Sequence, residues 1–157
     1  MIDQKALIDI NKRLKEIGDK LEKVSKEVKN VFVQTLTSGA HLVRNTIILE
    51  MQKDNKTGHK YKKKSVIHQA SAPGQYPAVD SGELLTSIFF DVVESKLQVE
   101  IGNLIGAPYG EFLEFGTSKM EPRPWLEPSV ELHEDKIMKD MGEKSFEVIK
   151  KSFEGIH

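Results

Sequence analysis

Apolar residues recur at alternating intervals of three and four along the first part of the chain. The series comprises Leu7, Ile10, Leu14, Ile17, Leu21, Val24, Val28 and Val31. This is the a/d pattern of an amphipathic helix sustained for more than three heptads. The face shifts slightly at Phe32 and continues to Ile47, which predicts one long helix over residues 1–52 with a kink near Thr37–Gly39. The narrow apolar seam fits either packing within the domain or a coiled-coil contact with a neighbouring subunit.

The next segment, residues 53–78, is rich in Lys, Gly, Ser and Pro and has no apolar periodicity. It therefore predicts a long basic loop, of the kind that is functional or disordered in compact domains. Pro73 and Pro77 stiffen its end, so that this part of the loop can reach outward at little entropic cost. Candidate contacts to DNA phosphates are Lys56, Lys60, Lys62, Lys63 and Lys64. A solvated loop without a ligand and a contact with a neighbouring subunit are the alternatives.

Residues 79–126 carry shorter elements. Asp80 and Glu83 have the spacing of a capping box that opens a short helix ending near Ile88. The runs 89–94 and 97–102 then predict two antiparallel strands joined by Ser95–Lys96. For residues 109–115 the pattern leaves strand and helix open, since alternation fits a strand and the glycine that follows fits a helix C-cap.

Three prolines stiffen the connection to the C-terminal segment. Pro122, Pro124 and Pro128 fix φ and remove backbone donors, so the connector cannot join a central sheet or continue a helix. Pro128 is well placed in the first turn of a helix over residues 127–157. The predicted fold is one α+β domain, 1–157, with a long N-terminal helix, a small antiparallel sheet, a short central helix and a C-terminal helix.

Composition narrows the possible functions. The 157 residues have a net charge of −1, which argues against a general nucleic-acid binder, and they include no cysteine, which excludes disulfides and thiolate metal sites. The five histidines lack metal-binding spacings, no Gly-x-Ser-x-Gly or Gly-Lys-Ser/Thr motif occurs, and the glutamates near residues 111–127 lack the signs of a carboxylate pair. We therefore expect no enzyme activity, no cofactor and no metal, and no apolar run approaches the length of a membrane span.

The run YGEFLEFGTSKMEPRPWLEP at residues 109–128 combines aromatic residues, acids and prolines. With SAPGQYPAVDSGELLTSI at residues 71–88, it resembles the tail-completion, or head-tail joining (neck), protein family of long-tailed bacteriophages and prophages. The matching positions are Tyr109, Leu113, Glu114, Phe115, Gly116, Thr117, Lys119, Met120, Arg123, Pro124 and Leu126, with Trp125 where Phe is usual. We refer to residues 109–126 as the signature segment.

The resemblance implies a structural protein of the virion neck, made in the host bacterial cytoplasm. Its expected partners are copies of itself in a ring around the DNA channel, six in the virion, together with head-closure and tail tube or tail terminator proteins. Aromatic and arginine side chains are enriched in interfaces, so the interface candidates are Tyr109, Phe112, Glu114, Phe115, Met120, Arg123 and Trp125. The alternative function is a cytoplasmic DNA-binding module that uses the lysines of residues 53–64.

Overall fold

The fold is α+β, and the described residues form two long helices, two short helices and two small antiparallel sheets. The computed structural model of the chain describes residues 4–104 and 109–154, with side chains described from Lys12 onward. In chain order the elements are α1 (Gln4–Gln52), β1 (Lys60–Lys63), β2 (Val66–Gln69), α2 (Glu83–Ser87), β3 (Ile88–Val93), β4 (Gln98–Asn103), α3 (Tyr109–Phe115) and α4 (Glu127–Phe153). The predicted long N-terminal helix, short central helix and C-terminal helix are confirmed.

Helices α1 and α4 pack against each other in opposite directions. His133 of α4 hydrogen-bonds Thr46 of α1 at 2.7 Å, and Ile137 of α4 packs directly over Gly39. Because Gly39 has no side chain, the two helices can approach closely at this point. Continued along both helices, this pairing brings the end of α4 level with the region of Val24, which is buried. The first turns of α1 therefore extend beyond α4 by roughly 25 Å.

The core lies between the C-terminal half of α1 and the elements that follow it. Its buried residues are Val43, Ile47, Met51, Leu84, Ile88 and Trp125. A hydrogen bond from the guanidinium of Arg44 to the carbonyl of Ile88 also joins α1 to the start of β3. The core thus joins α1 to α2, to the β3–β4 hairpin and, through Trp125, to the connector that leads into α4.

The sequence predicted one of the two hairpins and missed the other. The β3–β4 hairpin is confirmed, with Phe90 opposite Ile101 and Val92 opposite Val99. In contrast, the expected loop at residues 53–78 contains a second hairpin, in which Lys62 pairs with Ile67 and Tyr61 pairs with His68. Strand alternation was hidden here because both faces of β1 are exposed and carry lysines.

Two local expectations need correction. The predicted capping box does not form, because Gly82 is the N-cap of α2 with φ 84° and makes no side-chain cap; the carboxylate of Asp80 accepts from Lys63 instead. Helix α1 is continuous through Thr37–Gly39, and the kink expected there stays a prediction. The end of the stiffened loop packs inward, with Pro77 buried and Tyr76 packed against the core, whereas Pro73 is exposed.

Candidate functional site

The signature segment begins with α3 and a tight turn. Gly116 follows α3 with φ 75°, the left-handed conformation that glycine adopts without strain. The turn closes through a hydrogen bond from the backbone N–H of Thr117 to the carbonyl of Met120 at 2.8 Å. A Cβ atom added at Gly116 would lie 2.8 Å from that same carbonyl and 3.0 Å from Pro122. The turn therefore requires glycine, as its place after Leu-Glu-Phe suggested.

Glu114 caps helix α4 from outside that helix. One carboxylate oxygen accepts hydrogen bonds from the backbone N–H groups of Trp125 and Leu126, at 2.7 and 2.9 Å. The other accepts from the N–H of Glu127 at 2.9 Å. The first N–H groups of a helix have no partners inside it, and a negative charge there also interacts favourably with the helix dipole. This nearly buried carboxylate thus provides hydrogen-bond acceptors for the backbone N–H groups at the start of α4 and joins that end of the helix to α3.

Trp125 completes the junction between α3 and α4. Its side chain is 2% exposed, and its indole N–H donates to the carbonyl of Gly110 in α3 at 3.0 Å. The carbonyl of Trp125 accepts from the hydroxyl of Ser129, one turn into α4, at 2.7 Å. Glu114 and Trp125 thus have their hydrogen-bond partners within the fold and little exposed surface, and their role at an interface stays a prediction.

Two further candidates hold the junction to other parts of the chain. The guanidinium of Arg123 donates to the carbonyl of Ser71 at 3.0 Å, and its backbone N–H donates to the carbonyl of Leu113 at 2.7 Å. The hydroxyl of Tyr109 accepts from the N–H of Leu84 at 3.0 Å. Arg123 and Tyr109 therefore stabilise the fold, and because both are only half-buried, their role at an interface stays a prediction.

The two segments that carry the family resemblance touch each other. Besides the bond between Arg123 and Ser71, the N–H of Gly74 donates to the carbonyl of Pro122 at 2.9 Å. The Tyr76 hydroxyl lies 2.9 Å from that of Ser129, and burial raises the pKa of Tyr76 above its usual value. Sequence reasoning missed Tyr76 and Ser129, because nothing in their local pattern reveals a partner 53 residues away.

The remaining interface candidates lie at the surface. Phe115 is 75% exposed and Phe112 is 53% exposed, while Met120 is half-buried. Clusters of large exposed apolar side chains are unusual on the surface of monomeric proteins. Apolar surface also lies on α1, at Leu14, Ile17 and Leu21, and on α4, at Leu132, Met138, Phe146, Ile149 and Phe153. Leu7 and Ile10, from the same predicted seam, lie outside the residues whose side chains are described.

The structure divides the five candidate lysines into two groups. Lys56 donates to the carbonyl of Glu50 at the end of α1, at 2.8 Å, and partial burial lowers its pKa. Lys63 is 2.6 Å from the carboxylate of Asp80; this hydrogen bond raises the pKa of Lys63 and lowers that of Asp80. By contrast, Lys60, Lys62 and Lys64 are exposed on the β1–β2 hairpin, and no acid within the described residues forms an ion pair with them.

Few features of the described residues suggest chemistry. A cavity of about 350 Å³ adjoins α2 and α3. Its titratable lining groups are Lys63, Asp80, Glu83 and Tyr109, and of these Lys63 and Asp80 are paired while Tyr109 binds a backbone N–H. Among the side chains that the structure describes, in residues 12–104 and 109–154, no three histidines or carboxylates converge as a metal site would require. None of the helices described there has the length and apolar character needed to cross a bilayer.

Comparison of the chain with protein-family models, with curated proteins and with solved structures gave no match.

Proposed function

We propose that this chain is a structural protein of the phage neck that completes the tail and joins it to the head by forming a ring around the DNA channel. Two lines of support converge on this proposal. The signature segment resembles the tail-completion family over most of its length. In addition, the molecule exposes large apolar side chains on several separate surfaces, which is the property of a protein that binds other proteins.

The exposed apolar surface carries most weight. Three regions contribute, namely the N-terminal part of α1, the aromatic residues of α3 and the outer side of α4. A ring subunit with a neck partner on each side needs several contact surfaces, whereas an enzyme needs mainly one pocket. The mechanism would be geometric: identical subunits close a ring in head-to-tail contact, with one face on the tail and the other on the head-closure protein.

Within this proposal the residues of the signature segment have two tasks. Glu114 and Trp125 join α3 to the start of α4 through buried hydrogen bonds, and Arg123 joins this junction to Ser71. Phe112 and Phe115 project from the junction that is fixed in this way. A rigid support reduces the entropy that an interface loses on binding, so the buried residues would serve assembly by holding the exposed ones in place.

Assembly experiments test the proposal directly. Light scattering would measure the size of the protein alone and with candidate head-closure and tail terminator proteins. We expect complexes with both partners and a place for the chain in purified necks. Failure to bind any neck protein, together with absence from purified virions, would contradict the proposal.

The hairpin lysines favour a second candidate function, a cytoplasmic DNA-binding module. Lys60, Lys62 and Lys64 are exposed on a projecting hairpin, as phosphate contacts require. Titration with duplex DNA at low and moderate salt separates the two functions. Tight binding with a steep salt dependence would favour the DNA-binding module, while weak binding at both salt concentrations favours the structural role.

A further inference from the structure

The β1–β2 hairpin presents a basic and apolar face. Lys60 and Lys62 alternate with Tyr61 along β1, so they share one face of the hairpin with Ile67, which pairs directly with Lys62. Ile67 is 70% exposed and borders an open depression of about 480 Å³ that Val79 also lines. We call Lys60, Lys62, Ile67 and Val79 the hairpin surface.

The opposite face of this hairpin is tied to the body of the molecule. Lys63 and His68 both lie near the carboxylate of Asp80, at 2.6 and 3.9 Å, and the ring of His68 stacks on that of Tyr61. The two faces of the hairpin therefore differ. One is tethered through Asp80, and the other holds lysines that form no ion pair with any described residue.

A groove of complementary character lies between the end of α3 and the first turns of α4. It has a volume of about 470 Å³ and is lined by Phe115, Leu126, Val130, Glu127, Glu131 and Glu134. We call these residues the acidic groove. Phe115 is its most exposed apolar member. The carboxylates of Glu127, Glu131 and Glu134 are at the surface, and no basic side chain within the described parts of the chain pairs with them.

We propose that the hairpin surface of one copy docks into the acidic groove of a neighbouring copy. Each surface combines exposed apolar side chains with unpaired charges, and the two sets of charges have opposite signs. Charge complementarity of this kind selects partners and fixes their register, while contact between Ile67 and Phe115 would bury apolar area on both sides. The acidic groove also disfavours DNA as its occupant, because its carboxylates would repel phosphates.

The contact would be heterologous, since the hairpin and the groove are different surfaces of one chain. A heterologous contact leaves one free surface at each end of a dimer, so it continues to further copies and closes into a ring when the rotation allows. This inference rests on the proposed function, for which it supplies the subunit contact.

Disulfide trapping tests the contact, since the chain has no cysteine of its own. The variant carrying Ile67→Cys and Glu131→Cys places one thiol on each surface. Under mild oxidation we expect a ladder of linked species that extends past the dimer, because every chain can join two neighbours. The matched control carries Ile67→Cys and Glu147→Cys; Glu147 is also exposed on α4 but lies about 24 Å along the helix from Glu131. Absence of the ladder, or an equal ladder in the control, would overturn the proposal.

Charge reversal provides the second test. Sedimentation of the full chain at low salt should show self-association weakened at least about tenfold by Lys60→Glu with Lys62→Glu, and equally by Glu131→Lys with Glu134→Lys. Combining all four changes should restore association. Reversal of Lys96 and Lys151, which are exposed elsewhere, should leave it unchanged.

The same variants also test the alternative in which the hairpin lysines bind DNA. If reversal of Lys60 and Lys62 removed binding to duplex DNA and left self-association intact, the hairpin would be a DNA contact and the docking proposal would be wrong. The proposed function can fail independently of this contact. If the chain forms the disulfide ladder but binds no neck protein, the subunit contact is supported and the proposed role in the neck is wrong.

Discussion

Glu114 and Trp125 show at the scale of single residues how α3 and α4 are held together. The Glu114 carboxylate accepts hydrogen bonds from three backbone N–H groups at and just before the start of α4, and the Trp125 indole N–H donates back to α3. Both side chains are nearly or fully buried, and the low dielectric of such a site strengthens satisfied hydrogen bonds and makes unsatisfied groups costly. Loss of either side chain should therefore separate the two helices.

Replacement of Glu114 by glutamine tests the remote cap. The amide keeps one acceptor oxygen and turns an N–H₂ group toward backbone donors, so we expect a loss of about 1–3 kcal/mol in the free energy of unfolding. Denaturant titration followed by circular dichroism would measure it. Glu111→Gln, on the exposed side of the same helix, should change stability by no more than about 0.5 kcal/mol. Equal effects of the two changes would show that Glu114 does not act as a cap.

Trp125→Ala should remove a buried aromatic side chain from the core at a cost of about 3–5 kcal/mol. Thermal and denaturant unfolding would measure the change. Trp125→Phe keeps most of the apolar volume and loses the hydrogen bond to Gly110. We therefore expect it to lower the free energy of unfolding less than Trp125→Ala does, by an amount that reflects mainly the lost hydrogen bond. Unchanged stability of the alanine variant together with lost assembly would place Trp125 at an interface instead.

Gly116→Val should damage folding through both conformation and space. The native φ of 75° is strained for a β-branched residue, and a Cβ atom would lie too close to the carbonyl of Met120. We expect a much reduced yield of soluble protein and a lowered Tm. Gly142→Val is the matched control, since a Cβ there meets no atom within 4 Å. A Gly116→Val variant that folds and assembles normally would refute this account of the turn.

At the scale of elements, the long helix α1 has two regions with different surroundings. From Val24 onward its apolar seam is covered by α4 and the rest of the core, whereas Leu14, Ile17 and Leu21 of the same seam are more than half exposed. The sequence pattern left packing within the domain and a contact between subunits as alternatives. The structure assigns the first to the later part of the seam, and the exposed part remains available for a partner.

The exposed seam therefore predicts a separation of stability from assembly. Substitution of Leu14, Ile17 and Leu21 by lysine should change the free energy of unfolding by at most about 0.5 kcal/mol per site, because these side chains bury little within the chain. Light scattering should show weakened association with itself or with neck partners. Ile47→Lys, in the core, should instead prevent folding. Normal assembly of the triple variant would exclude this seam as a contact surface.

At the scale of the whole molecule, we predict six copies in a ring around the DNA channel. A long-tailed phage tail is six-fold in the structures with which the resembled family belongs, and a head-to-tail contact between identical chains closes into such a ring when the rotation fits. Electron microscopy of purified necks would measure the number and position of the copies. A neck with a single off-axis copy of this chain would contradict the prediction.

The sequence by itself determined the elements whose signals are local. Heptad spacing predicted α1, alternation predicted the β3–β4 hairpin, Pro128 marked the first turn of α4, and the position of Gly116 indicated a positive φ; all four agree with the structure. Such signals are readable because helix and strand periods, and the limits on φ, act over a few neighbouring residues.

Only the tertiary structure showed which groups within the chain the candidate side chains contact. Arg123 and Trp125 have the composition of interface residues, yet their partners are Ser71 and Gly110 within the chain. Asp80 has the spacing of a helix cap, yet Lys63 binds it from a hairpin whose alternation is hidden by exposed lysines. A side chain's role depends on which distant groups the fold brings within hydrogen-bonding distance, and a local pattern carries no record of those distances.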